Sequence, residues 1–278
     1  MLVSLKEVLN YAEINKCGIG SFNTPTLESL NAVIRAAEKL NVPVIIMHAQ
    51  CHEAESPLEN IGPVMVLLAK NAKVPVCVHL DHGETVEYLK KAIGIGFSSV
   101  MFDGSALAYE KNVEITKEVV EYAHKRGVDV EAEIGILGGR ESGDRKLSKE
   151  EMYTDPILAQ KFVHETHIDA LACSFGTAHG FYTEAPKLDF PRISKIRELC
   201  KIPLVMHGGS GVNQEDYKKA IQLGVKKINY YSYMAREGLK GANEALKNGV
   251  KFYHELAAIA TKYMEEDVLR AMKVFYNK

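Results

Sequence analysis

The sequence lacks several features that would place it in a class at once. No apolar run reaches the ~20 residues that a membrane-spanning helix requires, so no membrane role is expected. Lys and Arg number 34 against 36 Asp and Glu, and this near balance leaves no overall field to attract nucleic acid or anionic lipid. An anionic ligand must therefore be bound by a local site.

Disulfide and secretion signals are also missing. The five cysteines are odd in number, follow no CxxC spacing and mostly lie in apolar, strand-like runs. This distribution favours reduced, buried thiols in a cytoplasmic protein. The first residues predict an amphipathic helix rather than a cleavable signal, with Ser4 as N-cap and Glu7 in the capping-box position.

Short apolar runs alternate with longer segments of helical period along the whole chain. We count eight of them, at 18–23, 43–49, 76–81, 98–104, 128–135, 169–175, 202–209 and 225–231. This alternation predicts an α/β fold, the closed TIM (β/α)8 barrel. An open doubly wound sheet is the alternative, but no composition break or linker divides the chain.

The barrel prediction covers residues 1–278 as a single domain. It includes an N-terminal capping helix and a helical C-terminal extension from about residue 250, which would cap the barrel or form a subunit interface. The polar stretch 138–151 exceeds what a minimal barrel needs and is typical of a mobile active-site loop.

Three histidines are predicted at the mouth of the barrel, where the carboxyl ends of the strands meet. His82 follows strand 3, His179 follows strand 6 and His207 ends strand 7. Three imidazoles supply three nitrogen ligands and leave one coordination position open, as a catalytic zinc requires. Alternatively, each is a hydrogen-bonded residue of the rim, although the coincidence of three argues against this. The pair His164 and His167 is interpreted as surface residues.

Carboxylates accompany these histidines. Asp81 shares strand parity with His79, so it can point into the mouth as an acid/base group. Glu131 and Glu133 share one face of strand 5. Burying their carboxylates in the barrel interior would cost free energy unless a cation or a hydrogen-bond donor lies beside them. A metal would satisfy that need, and so would a structural pairing with a lysine of the barrel layers.

A lysine that could form a Schiff base is not predicted at the carboxyl ends of the strands. Lys226 and Lys227 begin strand 8, at the end of the barrel opposite to the catalytic face. Electrophilic activation would therefore come from a metal.

A phosphate site is predicted beside the histidines. The glycine-rich segment 207–211 follows strand 7 and precedes a helix that begins near Asn213, so its backbone amides could cradle a phosphate. The segment from Asn229 to Ser232 follows strand 8, and barrel enzymes often bind phosphate after strands 7 and 8.

Seven segments resemble the class II ketose-bisphosphate aldolases, especially their tagatose-bisphosphate and fructose-bisphosphate branch. They are LDHG (80–83), SVMFDGS (99–105), VEAEIGILGGRE (130–141), GTAHGFY (176–182), PKLDF (186–190), PLVMHGGSG (203–211) and KIN (227–229). The resemblance implies retro-aldol cleavage of a ketose 1,6-bisphosphate, of fructose or tagatose type, to dihydroxyacetone phosphate and glyceraldehyde 3-phosphate.

The resemblance also implies roles for individual residues. His82, His179 and His207 would hold the zinc, with Glu133 as a carboxylate close to it. Asp81 would move the proton of the hydroxyl that becomes the aldehyde, and Glu141 would exchange the proton on the dihydroxyacetone phosphate carbon. The predicted substrate and phosphate site comprises Asn23, Gly180, Gly208, Gly209, Ser210, Asn229 and Ser232. A monovalent cation, Na⁺ or K⁺, and a homodimer or homotetramer are further expectations.

The chain departs from the family pattern in places that surround this chemistry. Tyr231 stands where fructose-type members commonly carry an aspartate and tagatose-type members an alanine. Thr183 replaces a common lysine, and Met47-His48-Ala49 replaces a more polar stretch. These differences keep three alternatives open: a related aldolase for another phosphorylated or acidic sugar, a metal-dependent hydrolase or isomerase, and a non-catalytic sugar-phosphate-binding protein.

Overall fold

The structure is a computed structural model that describes residues 1–135, 153–182 and 184–278. Eight parallel strands pair in chain order and close into a barrel. They are β1 (Ile19–Asn23), β2 (Val44–Ala49), β3 (Val76–Gly83), β4 (Ser99–Phe102), β5 (Asp129–Ile134), β6 (Ala170–Cys173), β7 (Leu204–Met206) and β8 (Val225–Tyr230). All eight predicted strands are confirmed, and so is the closed (β/α)8 architecture.

Helices connect the strands and cover the outside of the barrel. The described ranges contain α1 (Leu5–Asn15), α2 (Leu27–Leu40), α3 (Leu58–Asn71), α4 (Val86–Ile95), α5 (Tyr109–His124), α6 (Pro156–Thr166), α7 (Phe190–Cys200), α8 (Gln214–Gln222), α9 (Ser232–Lys247) and α10 (Tyr253–Phe275). Within these ranges, none of the helices combines the length and apolar character needed to cross a membrane.

Helix α1 closes the amino-terminal end of the barrel. Ser4 and Glu7 form the predicted capping box. The helix buries Leu5, Val8, Leu9 and Ala12 and contacts strands β1, β2, β3 and β8. A buried apolar face of this size stabilises the helix far more than its cap does. The amino-terminal end is thereby filled, and the carboxyl ends of the strands stay open for a site.

Helix α10 belongs to the barrel wall. It packs against α2, α8 and α9, and it buries Met272 and Phe275. The Phe275 carbonyl accepts a hydrogen bond from the Gly18 N–H at 2.9 Å, and the Tyr276 hydroxyl contacts the backbone at Gly20 and Pro43. The helix of the C-terminal extension begins at Tyr253. Its last residues hold the start of β1 in place through these hydrogen bonds to Gly18 and Gly20.

The cysteines were predicted to be buried, and one is not. No disulfide joins the five, all of which lie in described ranges, and four of them are buried. Cys51 is exposed because it lies in the short 3₁₀ turn Gln50–His52, which follows β2 at the mouth of the barrel. His164 and His167 are both exposed on and after α6, as predicted.

Candidate active site

A cavity of about 320 Å³ opens at the carboxyl ends of the strands. Its walls come from the strands β1, β2, β3 and β8 and from the segments that follow β2, β6, β7 and β8. The lining residues are Asn23, Ala49, Cys51, His52, Asp81, His82, His179, Gly180, Gly208, Ser210, Asn229, Tyr230, Tyr231 and Ser232. The position agrees with the rule that barrel sites are built from the segments after the strands.

His82 reaches this cavity because β3 carries a bulge. Successive side chains of a regular strand point to opposite faces, so in a regular β3 the His82 side chain would point away from the face that Asp81 occupies. The β3–β4 register shifts between Leu80 and Gly83, and His82 has φ +47°, a left-handed conformation that costs a non-glycine residue about 1 kcal/mol. The bulge therefore allows two consecutive residues to face the same mouth.

The three predicted histidines converge. Potential ligand atoms of His82, His179 and His207 all lie within 4.8 Å of one another. The ring centroid of His82 is 5.1 Å from that of His179 and 4.6 Å from that of His207. The residues come from the ends of three different strands, so only the closed barrel brings them together.

Two of these histidines are anchored through one ring nitrogen, which leaves the other available. His82 Nδ1 lies 2.6 Å from Asp103 Oδ2, and His207 Nε2 lies 2.9 Å from Glu131 Oε1. Among the described residues, the buried His82 Nε2 and His207 Nδ1 have no hydrogen-bond partner. A carboxylate behind each imidazole is the usual arrangement around a protein-bound metal ion, so this donor set fits one.

Carboxylates make the surroundings of His82 favourable to positive charge. His82 also forms a group with Asp103 and Glu133 whose ligand atoms lie within 4.8 Å of one another. Burial by itself would lower the pKa of His82, but Asp81 and Asp103 raise it to about 9. Positive charge is thus stabilised at this imidazole, whether a proton or a metal cation carries it.

The two glutamates of β5 have different partners. Glu131 is fully buried, and its Oε2 lies 2.9 Å from Lys227 Nζ. Burial would raise the pKa of Glu131, but Lys227 and the bond from His207 lower it to about 2. Glu133 Oε2 lies 3.4 Å from His207 Nδ1, within the histidine cluster. Glu131 is therefore the glutamate that pairs with a lysine, and Glu133 is the one that lies beside the histidine cluster.

Lys227 occupies the barrel interior and is inaccessible to solvent. Among the described residues that line the cavity, Asp81 is the acidic side chain and His52, His82 and His179 are the basic ones. However, Lys227 contacts Glu131, which in turn contacts His207. Lys227 therefore affects the site indirectly, through its contact with Glu131 in the barrel interior.

Asp81 is held between two amides from neighbouring strands. Asn23 Nδ2 donates to Asp81 Oδ2 and Asn229 Nδ2 donates to Asp81 Oδ1, both at 3.1 Å. Burial would raise the pKa of Asp81, but His82 and Lys227 outweigh it and hold the pKa below its usual range. The carboxylate is ionised and oriented, as a proton acceptor must be.

The glycine-rich segment after β7 faces the same cavity. Gly208, Ser210 and Gly180 line the cavity, and Ser232 begins α9 beside them. Gly208 has φ +60°, and a Cβ there would lie 2.2 Å from the Ala178 carbonyl oxygen, so only glycine fits. Gly209 is a predicted site residue outside the cavity lining, because its N–H bonds to the Asn229 carbonyl at 3.0 Å.

Some site residues were not predicted from the sequence. Asp103 anchors His82, and its position at the end of β4 was an available signal. His52 and Cys51 line the cavity from the turn after β2, and the His52 ring lies 5.3 Å from that of Tyr231, which follows β8. The predicted site residue Glu141, the stretch 138–151 and Thr183, a departure from the family pattern, lie outside the described residues.

The geometry agrees with what comparison to known proteins finds. The sequence model of the family described as "Fructose-bisphosphate aldolase class-II" matches residues 3–278. A fructose-bisphosphate aldolase from Geobacillus stearothermophilus is 45% identical over 236 residues, which cover 82% of this chain and 80% of the relative. One from Staphylococcus epidermidis is 40% identical over 257 residues, covering 91% and 88%. The crystal structure of the YdjI aldolase from Escherichia coli K12 has a TM-score of 0.89 and 34% identity, covering 99% of this chain and 97% of that one.

Proposed function

This chain belongs to the family of class II fructose-bisphosphate aldolases, and from that premise we propose that it reversibly cleaves a ketose 1,6-bisphosphate to dihydroxyacetone phosphate and glyceraldehyde 3-phosphate. The observation that carries the proposal is the position of Asp81, an oriented carboxylate, next to a cluster of three histidines. A proton acceptor beside a metal-ligand set is what a metal-dependent retro-aldol reaction requires.

We propose zinc as the metal, held by His82, His179 and His207, with Glu133 as a nearby carboxylate. Nitrogen ligands from three histidines that leave one position open suit a catalytic zinc. The chemistry that the bound cation supplies is polarisation of the ketose carbonyl and stabilisation of the negative charge that develops. Asp103 and Glu131 would orient two of the ligands through their second nitrogens.

Asp81 begins the proposed reaction. Its carboxylate accepts the proton of the C4 hydroxyl, the C4 oxygen becomes the aldehyde oxygen, and the electrons of the C3–C4 bond remain on the dihydroxyacetone phosphate fragment. Asn23 and Asn229 keep the carboxylate in one orientation during this transfer. A fixed acceptor needs little reorganisation, and a positioned base typically accelerates a reaction about 10²–10⁴-fold.

Glu141 would complete the reaction by giving a proton to C3 of that fragment. This role rests on the family resemblance, since Glu141 lies outside the described residues. The first phosphate of the substrate would bind at Gly180, Gly208, Ser210 and Ser232, which line one side of the cavity. A Na⁺ or K⁺ ion beside this phosphate is part of the same proposal.

A second candidate differs only in the aldehyde product. Tyr231 and His52 form an aromatic pair on the wall of the cavity, with ring centroids 5.3 Å apart. The guanidinium of Arg236, a cation that follows β8 in the sequence, lies 4.3 and 5.0 Å from the ring centroids of Tyr233 and Phe181. These observations favour, as the runner-up, a related aldolase with another phosphorylated or acidic acceptor.

We also propose that the chain forms a homodimer or homotetramer. Leu239 and Leu246 lie seven residues apart on one face of α9 and are 64% and 61% exposed. Phe252 and Tyr253, at the start of α10, are 62% and 76% exposed. Large apolar side chains in one region favour contact with another chain. Light scattering coupled to size-exclusion chromatography measures the state directly.

Triose-phosphate release tests the proposed function. The zinc-loaded protein is assayed with fructose 1,6-bisphosphate and tagatose 1,6-bisphosphate, with a chelator-treated sample and Asp81→Ala as controls. We expect metal-dependent release from one of them, reduced about 10²–10⁴-fold by Asp81→Ala. Absence of release from both, with zinc bound, would point to another acceptor or to a non-catalytic role. Products other than an aldehyde and a ketose phosphate would indicate a hydrolase or isomerase.

A further inference from the structure

Two tyrosines contact the glycine-rich segment after β7 from outside the cavity. The Tyr182 hydroxyl donates to the Gly208 carbonyl at 2.8 Å and accepts from the Ala178 N–H at 2.8 Å. The Tyr217 hydroxyl, from α8, donates to the Gly209 carbonyl. Neither phenol is explained by the metal site or by proton transfer.

The Gly208-Gly209 segment needs such fixation. Glycine has no Cβ and adopts positive and negative φ with similar ease, so consecutive glycine peptides can rotate between orientations. Larger residues are excluded here, because a Cβ at Gly208 would lie 2.2 Å from the Ala178 oxygen and one at Gly209 would lie 2.6 Å from the Asn229 oxygen. Close packing therefore requires glycine at both positions, and glycine makes the backbone flexible. A site that binds an anion through its backbone N–H groups needs that backbone to be rigid.

The contacts determine the orientation of two successive peptide groups. The carbonyl of Gly208 bonds to Tyr182 while the N–H of Gly209 bonds to the Asn229 carbonyl at 3.0 Å, so the first peptide is held at both ends. The Gly209 carbonyl bonds to Tyr217 and to the Val212 N–H at 3.2 Å. In a trans peptide the C=O and N–H point in opposite directions, so the Ser210 N–H is directed away from α8.

That direction is toward the cavity. Tyr217 is buried and packs on Phe275 with ring centroids 4.9 Å apart, whereas Ser210 lines the cavity. We propose that Tyr182 and Tyr217 are positioning residues that hold the Gly208-Gly209-Ser210 backbone with its N–H facing the substrate phosphate. This assignment rests on the proposed phosphate site, and it adds to that site two residues that do not touch the ligand.

The physical effect is pre-organisation. A loop that already has its bound conformation avoids the entropy cost of ordering when the phosphate arrives. Each phenol donates one hydrogen bond to a carbonyl of the Gly208-Gly209 segment, and loss of one such bond corresponds to roughly 2–10-fold in phosphate affinity. Tyr182 also joins the segments after β6 and β7, so its loss affects His179 and Gly180 as well.

Tyr182→Phe and Tyr217→Phe test the proposal, and Tyr276→Phe is a matched control. Tyr276 is likewise a buried phenol whose hydroxyl bridges a backbone N–H, of Gly20, and a backbone carbonyl, of Pro43, but neither Tyr276 nor these partners line the cavity. The dissociation constant of inorganic phosphate is measured calorimetrically on the zinc-loaded proteins, together with zinc affinity, Tm and steady-state kinetics.

We expect the phosphate Kd to rise roughly 2–10-fold in each variant and further in the double variant. KM for the sugar bisphosphate should rise by a similar factor while kcat changes less. Zinc affinity should stay unchanged in Tyr217→Phe. Tyr276→Phe should lower Tm without changing the phosphate Kd.

Several results would overturn the proposal. One is a folded Tyr217→Phe that binds phosphate as tightly as the wild type, and another is a Tyr276→Phe that loses as much phosphate affinity as Tyr217→Phe does. The proposal also fails if Tyr217→Phe loses zinc affinity in parallel with phosphate affinity, or if the wild type shows no saturable phosphate binding. Failure of the proposed function looks different. In that case the phosphate Kd responds as expected, but no triose phosphate is released by the wild-type protein.

Discussion

The Nε2 atom of His207 lies 2.9 Å from the Oε1 atom of Glu131, and neither side chain is accessible to solvent. Because Glu131 is also 2.9 Å from Lys227, it is held ionised beneath the histidine cluster. An ionised carboxylate at Nε2 keeps the proton on that nitrogen, so Nδ1 would be the atom that binds the proposed zinc. The barrel interior thus selects the imidazole tautomer.

Glu131→Gln should therefore weaken zinc binding about 10–100-fold, the usual effect of removing a partner behind a metal-bound histidine. Competition with a chromogenic chelator measures this affinity. The single variant also leaves Lys227 as a buried, unpaired charge, so we expect it to lose stability. In the double variant Glu131→Gln/Lys227→Met, stability should recover while zinc affinity stays low. Recovery of both would contradict the orienting role.

Zinc should also stabilise the folded protein. A ligand that binds only the native state adds about 2.7 kcal/mol at a free concentration 100 times its Kd. For a domain of this size that corresponds to a Tm increase of roughly 5–10 °C. Differential scanning fluorimetry with and without zinc measures it. His179→Ala, which removes one predicted ligand, should abolish most of the shift, and an unchanged shift would exclude His179 from the set.

Stability should fall in mild acid through His48. Burial, with the neighbouring His52, lowers the pKa of His48 to about 4 from an ordinary 6.5. Above pH 6.5 His48 is neutral in both the native and the unfolded state, and the free energy of unfolding has its full value. As pH falls from 6.5 to 4, the unfolded chain binds a proton that the native state excludes, and about 1.4 kcal/mol is lost per pH unit.

We expect His48→Gln to reduce the difference in unfolding free energy between pH 7 and pH 4.5 by about 2 kcal/mol. Urea denaturation at the two pH values measures it. His164→Gln, at an exposed position of α6, is the control and should leave the difference unchanged. An equal pH dependence in wild type and His48→Gln would contradict the assignment.

Tyr231 should limit the size of the acceptor aldehyde. Its ring lies on the cavity wall against His52, and its backbone N–H bonds to the Ser210 hydroxyl at 2.9 Å, so it has little freedom to withdraw. Tyr231→Ala should raise kcat/KM for a longer aldehyde relative to a short one by about tenfold. A series of aldehydes condensed with dihydroxyacetone phosphate measures the ratio. Tyr231→Phe, which keeps the ring, should resemble the wild type.

Much of the fold could be predicted because it depends on local patterns. The eight strands follow from apolar runs of strand length, and the cap of α1 follows from Ser4 and Glu7, which interact three residues apart. The three histidines were predictable together, because the carboxyl ends of barrel strands converge whatever their exact tilt. The roles of Glu141 and of the stretch 138–151 remain predictions.

Other features depended on contacts between residues distant in sequence. The bulge that turns His82 toward Asp81 arises from register with β4, which no pattern within β3 reveals. The partner of Glu131 was ambiguous until the barrel placed Lys227 beside it, and His52 meets Tyr231 only because closure makes β8, β1 and β2 neighbours.

The sequence by itself determined the barrel, its helices and the set of chemically competent side chains, since periodicity and strand ends are properties of short segments. The tertiary structure alone decided which ring nitrogen of His82 and of His207 is hydrogen-bonded, which glutamate of β5 pairs with Lys227, and which backbone groups hold the glycine-rich segment. Those outcomes depend on distances of about 3 Å between atoms of different elements, and only the packed barrel sets such distances.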